Sequence, residues 1–275
     1  MTRVALLIAV CAGAILTAMP RPRWLAKSAA VVVIVGLLLV GLSATRLPSW
    51  FYALAGGTTV VWLVAERLNS ASLVRRRRLL RAGVVIVWLV GALMELPYQF
   101  GPRLEILGRP TLHVIGDSVT AGMGDRALET WPQILARSRN IEVKDYSRPG
   151  ATVRSALEQA KQLPAAGGVV LLEIGGNDVL GSTSATEFEQ SLELLLRKVC
   201  TPGRVVLMLE LPLPPFQNPY GRAQRRLAAE HGVHLVPKRF FAEALAAQDA
   251  TIDSIHLSKS GREQMAERVW NLIRP

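Results

Sequence analysis

A serine, a histidine and an aspartate in the second half of this chain have the types and spacing needed for nucleophilic catalysis. Ser118 follows an apolar run that ends at Gly116, so its hydroxyl group is expected on the turn at the end of a strand. Asp253 precedes His256 by three residues, close enough for the two side chains to meet. A serine hydroxyl needs a neighbouring base, histidine supplies one near neutral pH, and a carboxylate orients that histidine. The three residues therefore predict acyl transfer through Ser118.

Two further stretches place glycine-containing turns after predicted strands. "SRPGATV", residues 147–153, contains Gly150, and "LEIGGNDVL", residues 172–180, contains Asn177 and Asp178 after a glycine pair. Acyl transfer develops negative charge on the carbonyl oxygen of the substrate, and each N–H donor aimed at that oxygen is worth about 2.7–4 kcal/mol in known enzymes. Both turns are candidates to supply such donors.

In order and spacing, the stretches "HVIGDSVTAG", "SRPGATV", "LEIGGNDVL" and "DSIHLSKSG" resemble the motifs of the SGNH hydrolases, also called GDSL esterases and lipases. The resemblance covers nearly all of residues 111–273, and the flanking text is similar to the bacterial thioesterase/lysophospholipase and arylesterase branch. It implies that Ser118 is the nucleophile, His256 the base and Asp253 the acid that orients the base. It also implies an oxyanion hole made by the N–H groups of Ser118 and Gly150 and the Asn177 amide, with no metal or organic cofactor.

Other polar residues in these stretches are interpreted as structural. The carboxyl groups of Asp117 and Asp178 are expected to accept hydrogen bonds from backbone N–H groups of their own turns. His231 and His234 flank a helix–strand junction, and no cluster with metal-ligand spacing accompanies them. Residues 116–120 also lack the second glycine of the G-x-S-x-G motif, which argues against an α/β-hydrolase.

A proline-rich segment at 211–220 follows the fourth predicted strand, and its prolines exclude a regular helix or a central strand. In similar thioesterases the matching loop borders the acyl crevice, so Leu213 and Phe216 are candidate substrate contacts. The alternative is a loop that only packs on the sheet.

From about residue 111, short apolar runs alternate with helical patterns. Strands are predicted at 111–115, 141–145, 169–174, 205–210 and 233–236, and helices at 130–137, 153–162, 185–199, 220–230, 240–247 and 258–273. This alternation predicts a three-layer α/β/α domain, flavodoxin-like and of SGNH type, with a five-stranded parallel sheet. Ligands in such sheets bind beyond the carboxyl ends of the strands, where the candidate residues lie. The predicted organisation is a membrane segment at 1–100, a linker at 101–110 and the hydrolase domain at 111–275.

The N-terminal part is apolar and basic. Residues 1–110 carry a net charge of +10 and residues 111–275 only +1. Apolar stretches at 4–19, 25–44, 50–65 and 82–96 predict about four transmembrane helices, although the first could instead be a cleaved signal peptide. Arginines between the third and fourth stretches are expected to hold that loop in the cytoplasm rather than to bind nucleic acid. With four spans, the catalytic domain would face the periplasm or the cell exterior.

The sequence thus predicts a membrane-anchored serine esterase that cleaves carboxylic or thio esters, with lipidic acyl esters as the expected substrates. An O-acetyl esterase or acyltransferase acting on cell-wall or extracellular glycans is the alternative. A non-catalytic, membrane-tethered binding or sensor module is a third interpretation, which the complete residue set argues against.

Overall fold

The computed structural model describes residues 47–67, 74–102, 104, 108, 111–122, 129–246, 249–253 and 256–274. The chain divides into two compact units. One comprises residues up to Gln99 with the short segment Pro214–Asn218, and the other comprises Phe100–Leu213 with Pro219–Pro275. The predicted apolar stretches at 4–19 and 25–44 lie outside the described residues.

Two helices, α1 (Ser49–Arg67) and α2 (Val74–Glu95), pack together in the first unit, and a 3₁₀ turn (Leu96–Gln99) follows. Their interface is aromatic: the rings of Phe51 and Trp88 meet edge to face at 5.9 Å, and the Trp88 indole N–H donates to Thr59 Oγ1 at 3.1 Å. Among the described residues, one helical stretch, Arg76–Gln99, is long and apolar enough to cross a membrane, whereas Ser49–Ala65 is shorter than that length. The multi-pass segment therefore stays a prediction.

The second unit is built on a five-stranded sheet in the order β2-β1-β3-β4-β5, with every pair parallel. This confirms the predicted sheet. The strands are β1 (Leu112–Gly116), β2 (Val143–Asp145), β3 (Val169–Glu173), β4 (Val205–Leu209) and β5 (His234–Val236). All residues of β1 and β3 are buried, as expected for central strands covered on both faces, whereas the edge strands are short and partly polar.

Helices cover both faces of the sheet. Their bounds are α3 (Ser118–Ala121), α4 (Trp131–Arg139), α5 (Val153–Ala160), α6 (Gly176–Leu180), α7 (Ala185–Val199), α8 (Asn218–Glu230), α9 (Lys238–Ala246) and α10 (Lys259–Ile273). One face packs against α4, α9 and α10, and α5 packs against α7 on the other. The apolar positions of α7 recur at helical spacing and are buried, which explains why this helix was predicted with its observed bounds.

The chain leaves β1 for β2 on one side and later returns to β3 on the other. The crevice at such a reversal, beyond the carboxyl ends of the strands, is where open α/β sheets bind ligands. Two one-turn helices, α3 and α6, begin there, directly after β1 and β3. Neither was predicted from the sequence, because four or five residues are too few to show a helical period.

Candidate active site

Ser118 is the first residue of α3, and the elements around it fix its position. The Asp117 side chain caps α3 by accepting the Val119 N–H at 3.0 Å, as predicted for a structural role in its own turn. Behind it, the fully buried Gln159 side chain binds both backbone groups of Gly116: it accepts the N–H at 3.1 Å and donates to the carbonyl oxygen at 3.0 Å. The backbone is thereby fixed at Gly116 before the serine and at Val119 after it.

His256 connects Ser118 to Asp253. Its Nδ1 lies 2.7 Å from Asp253 Oδ2, and its Nε2 lies 3.0 Å from Ser118 Oγ. An ionised carboxylate only accepts hydrogen bonds, so Nδ1 carries the hydrogen and Nε2 is left to accept from the serine hydroxyl. The Asp253 carboxylate also accepts the His256 backbone N–H at 2.8 Å, which locks the pair into one turn. The structure thus brings together the three residues singled out from the sequence.

The loop that carries this pair is tied to the start of α10. An isolated bridge joins Thr251 to Leu257, and the Ser258 N–H donates to the Ala250 carbonyl oxygen at 2.9 Å. The hydroxyl groups of Ser258 and Ser260 both donate to the Asp249 carbonyl oxygen. These bonds close the loop at its base and keep the histidine aimed at the serine.

Two predicted oxyanion-hole residues lie in the turns after β2 and β3. Gly150 is exposed and adopts a φ of 73°, a left-handed conformation that favours glycine. The Asn177 amide donates to the Ala151 carbonyl oxygen at 3.0 Å and to Asp117 Oδ2 at 3.3 Å. Asn177 therefore links the Gly150 turn to the Ser118 turn. Both of its amide hydrogens have acceptors within the protein, and the longer bond to Asp117 is the weaker one.

Asp178 has a structural role, as predicted, and a partner outside its own turn. Its Oδ2 accepts the Val153 N–H at 2.8 Å, at the first turn of α5. The carboxylate therefore joins the turn after β3 to the helix that follows the Gly150 turn, and burial raises its pKa. His231, also considered structural, contacts Glu193 at 3.1 Å.

A buried pair of carboxyl groups beneath the serine was missed in the sequence. Glu173, the last residue of β3, and Asp117 are 2% and 3% exposed. The Thr120 hydroxyl donates to Glu173 Oε2 at 2.9 Å and accepts the Trp131 indole N–H at 3.1 Å. Burial raises the pKa of Asp117 to about 6, and burial together with the Asp117 charge raises the pKa of Glu173 well above its usual value. The sequence signal that could have indicated this pair was Glu173, an acidic residue at the end of an otherwise apolar run.

Another buried acid, Glu210, follows β4 and begins the proline-rich loop. It is paired with Arg225 of α8 at 2.7 Å, and its other oxygen accepts the Lys238 N–H at 3.0 Å. Further along this loop, Leu213 is buried and Phe216 is 75% exposed with a φ of 66°. Their substrate contacts stay a prediction.

Comparison with known proteins defines the class of this site. The family model of the GDSL-like Lipase/Acylhydrolase family matches residues 114–264, which contain Ser118, Gly150, Asn177, Asp253 and His256. The chain belongs to this family. It is accordingly a carboxylic ester hydrolase of the SGNH (GDSL) type, as the sequence predicted.

Its relatives are bacterial esterases. Esterase TesA of Pseudomonas aeruginosa is 29% identical over 182 residues, covering 60% of this chain and 88% of that protein. Thioesterase 1/protease 1/lysophospholipase L1 of Escherichia coli is 28% identical over 180 residues, covering 60% and 84%. Among solved structures, TesA superposes with a TM-score of 0.51 at 27% identity and covers 60% of this chain and 98% of its own. The similarity lies in the α/β unit.

Proposed function

We propose that this protein is a membrane-anchored serine esterase that cleaves carboxylic or thio esters through an acyl-Ser118 intermediate. The observation that carries the proposal is the continuous hydrogen-bonded chain from Ser118 through His256 to Asp253, at 3.0 and 2.7 Å. These are the distances at which a base can take a proton from a nucleophile in the reacting complex.

The first half of the reaction follows from this arrangement. Ser118 Oγ attacks the carbonyl carbon of the ester while its proton passes to His256 Nε2. Asp253 stabilises the imidazolium that forms and holds the ring in the tautomer with hydrogen on Nδ1. When the tetrahedral intermediate collapses, Nε2 gives the proton to the departing alcohol or thiol. The acyl group then remains on Ser118.

The negative charge of the tetrahedral intermediate needs donors beside Ser118. We assign this role to the N–H groups of Ser118 and Gly150 and to the Asn177 amide. Asn177 is already bound to Asp117 and Ala151, so it would turn its weaker, 3.3 Å hydrogen bond toward the oxyanion. The oxyanion competes for that hydrogen because the present bond to Asp117 is long, and a shorter hydrogen bond to a charged acceptor is stronger.

Water completes the cycle. His256 takes a proton from a water molecule, the hydroxide attacks the acyl carbon, and the proton returns to Ser118 as the acid departs. This chemistry requires no cofactor. If a second alcohol replaces water, the same site becomes an acyltransferase, because only the acceptor changes.

Lipidic acyl esters are the substrates we favour. The name of one relative, thioesterase 1/protease 1/lysophospholipase L1, includes thioesters and lysophospholipids, and a lysophospholipid carries an acyl chain. The exposed Phe216 and the buried Leu213 of the proline-rich loop are the apolar side chains proposed to contact such a chain.

A chain-length series tests activity and substrate together. The full-length protein in detergent micelles would be assayed on p-nitrophenyl esters from acetate to palmitate, on a lysophospholipid, on an acyl thioester and on an acetylated oligosaccharide. We expect turnover that disappears in Ser118→Ala and rises with acyl length. An optimum at acetate, with deacetylation of the oligosaccharide, would favour the glycan esterase instead. Equal rates for wild type and Ser118→Ala on every compound would refute the esterase proposal.

The membrane anchor is supported by the outer surfaces of α1 and α2. Large apolar side chains on both helices are exposed, in contrast to those of a soluble helical hairpin. They are Val60, Val61 and Val64 on α1 and Ile86, Leu89, Val90 and Leu93 on α2. Within the helices the Thr58 and Thr59 hydroxyls donate to backbone carbonyl oxygens one turn earlier, which hides polar atoms from an apolar surrounding.

The orientation follows from the charges at the start of α2. Arg76, Arg77, Arg78 and Arg81 lie in its first two turns, and basic residues next to a span favour the cytoplasmic side. The carboxyl end of α2, and the hydrolase domain after it, would then face the periplasm or exterior. A carboxyl-terminal reporter that fluoresces only in the cytoplasm should be dark, and the protein should resist carbonate extraction from membranes. A bright, carbonate-extractable fusion would contradict both the side and the anchor.

A further inference from the structure

The mechanism proposed above makes no use of Glu173, although this acid lies directly beneath the nucleophile. Its carboxyl group is buried at the end of β3, where it contacts Asp117 and accepts the Thr120 hydroxyl at 2.9 Å. The backbone N–H of Asp117 also points to Glu173 Oε2, at 3.5 Å. Thr120 is itself bound by the buried indole of Trp131. A buried acid with this many specific partners is expensive to maintain unless it serves the site.

The contact between the two acids requires a proton. Both acids are buried, and Glu173 Oε2 lies 3.5 Å from the Asp117 backbone nitrogen, so two full negative charges here would repel each other with little water to screen them. Burial and the Asp117 charge raise the pKa of Glu173 strongly, so Glu173 is the member that holds the proton. Two other charged groups face Asp117: Asp178 of α6 raises its pKa and His256 lowers it.

The Asp117 carboxyl group connects Glu173 to the catalytic residues through two hydrogen bonds. One of its oxygens accepts the Val119 N–H at 3.0 Å and so fixes the turn that carries Ser118. The other accepts the Asn177 amide at 3.3 Å. The orientation of a single carboxylate therefore sets both the nucleophile and one oxyanion donor. A second negative charge beside it, without a shared proton, would push that carboxylate away from its position.

We propose that Glu173 is a positioning residue for ester hydrolysis: as the proton-carrying partner of Asp117, it holds the carboxylate that orients the Ser118 turn and the Asn177 amide. The inference rests on the proposed function, since it concerns the same site. No proton is transferred to substrate in this role. The proton stays between the two acids throughout the cycle.

Two substitutions separate positioning by a shared proton from simple packing. Glu173→Gln keeps the shape, offers an N–H to Asp117 and leaves the pair with one negative charge, as in the wild type. Glu173→Ala removes the partner altogether. Glu158→Gln, at an exposed acid of α5 that pairs with Lys161, is the matched control. Each full-length variant would be assayed for kcat and KM between pH 5 and pH 9.5, with Ser118→Ala as the background.

We expect Glu173→Ala to lower kcat by about 100-fold with KM changed less than about threefold, since a misplacement of about 1 Å can have that effect. Glu173→Gln should keep kcat within about threefold at pH 7. The wild-type rate should decline at alkaline pH as the pair loses its remaining proton, and this decline should vanish in Glu173→Gln but persist in Glu158→Gln.

Identical pH profiles for wild type and Glu173→Gln would overturn the inference, as would an unchanged kcat in Glu173→Ala. If Glu173→Ala does not fold, the Gln variant decides alone. A Gln variant that is uniformly slow, with the wild-type profile, would indicate packing only. These outcomes differ from failure of the proposed function, in which wild type and Ser118→Ala would turn over esters at the same rate.

Discussion

The α-carbon of Gly261 faces the carbonyl oxygen of Ala250 so closely that a methyl group on it would lie 1.9 Å from that oxygen. Gly261 belongs to the first turn of α10, and Ala250 lies in the loop that carries Asp253 and His256. The helix and the loop are therefore in backbone contact, with no side chain between them. The position of the base depends on this contact.

Gly261→Ala should consequently displace the loop that carries Asp253 and His256, although Gly261 itself is not part of the active site. The obstacle is rigid backbone, so the loop must move by more than 1 Å, and overpacking of this kind costs about 1–3 kcal/mol of stability. We expect kcat to fall by roughly 100-fold, as for other displacements of this size. Gly101→Ala is the control, because its added methyl group would meet only the Leu272 side chain at 3.9 Å. Equal activity of both variants would show that the loop adapts.

Ser118→Ala should abolish turnover while leaving the fold intact. Ser118 Oγ bonds only to His256 among the hydrogen bonds of the described residues, so its removal leaves no buried group without a partner. We expect kcat to fall by at least about 1,000-fold, because removing the nucleophile from a catalytic triad costs nearly as much rate as removing all three residues. Thermal unfolding should match the wild type. A residual rate above one per cent would assign the nucleophile elsewhere.

Asp253→Asn should have a smaller effect than loss of a buried triad acid. The Asp253 side chain is 48% exposed, so water shares the stabilisation of the imidazolium. A buried acid of this kind contributes about 10,000-fold, and we expect roughly 100-fold here. Asp249→Asn, the same change four residues earlier at a φ of 58° that asparagine tolerates, is the control. Comparable losses in the two variants would mean that the loop, not the carboxylate, was disturbed.

Asn177→Ala tests the assigned oxyanion donor. Removal of such a donor lowers kcat by about 100–1,000-fold in enzymes where it has been tested. KM should change little, because the oxyanion exists only after attack. Steady-state kinetics on the best ester of the series would separate the two constants. A raised KM with unchanged kcat would place Asn177 in ground-state binding instead.

The carboxyl pair also predicts how stability depends on pH. The folded-state pKa of Glu173 is raised above its ordinary 4.5, so from that pH upward the folded protein binds more protons than the unfolded chain. Its free energy of unfolding therefore falls as pH rises through this window. Glu173→Gln has no such proton. The Tm of this variant minus the Tm of the wild type should therefore increase between pH 5 and pH 8. Glu158→Gln should follow the wild type, and a constant difference between Glu173→Gln and wild type would contradict the shared proton.

The sequence was sufficient for the sheet and for the residues that meet at its edge. Residues 169–172 and Val205–Leu209 are continuous apolar runs, and such runs with β-branched residues indicate buried parallel strands. Ser258 was placed at the start of the last helix and is instead its N-cap, accepting the Gly261 N–H at 3.2 Å. Boundaries of this kind depend on backbone geometry that a pattern of residue types does not specify.

The pairing of distant polar residues could not be predicted from the pattern. Glu173 is 56 residues from Asp117, and Gln159 is 43 residues from Gly116, so only the folded sheet brings them together. Local signals sufficed for the bond between Asp117 and Val119, two residues apart, but did not indicate the bond between Asp178 and Val153, which are 25 residues apart. Sequence reasoning succeeded where contacts were local or formed by strand ends.

Ser118 and His256 are 138 residues apart, and this separation has a consequence for the timing of biosynthesis. A ribosome that adds about 5–20 residues per second needs roughly 7–28 s to pass from the serine to the histidine. During that interval the nascent chain contains a nucleophile without its base. The hydroxyl group gains reactivity only when α10 closes the last loop against the sheet, so the newborn protein is harmless to cellular esters until its synthesis and folding are complete.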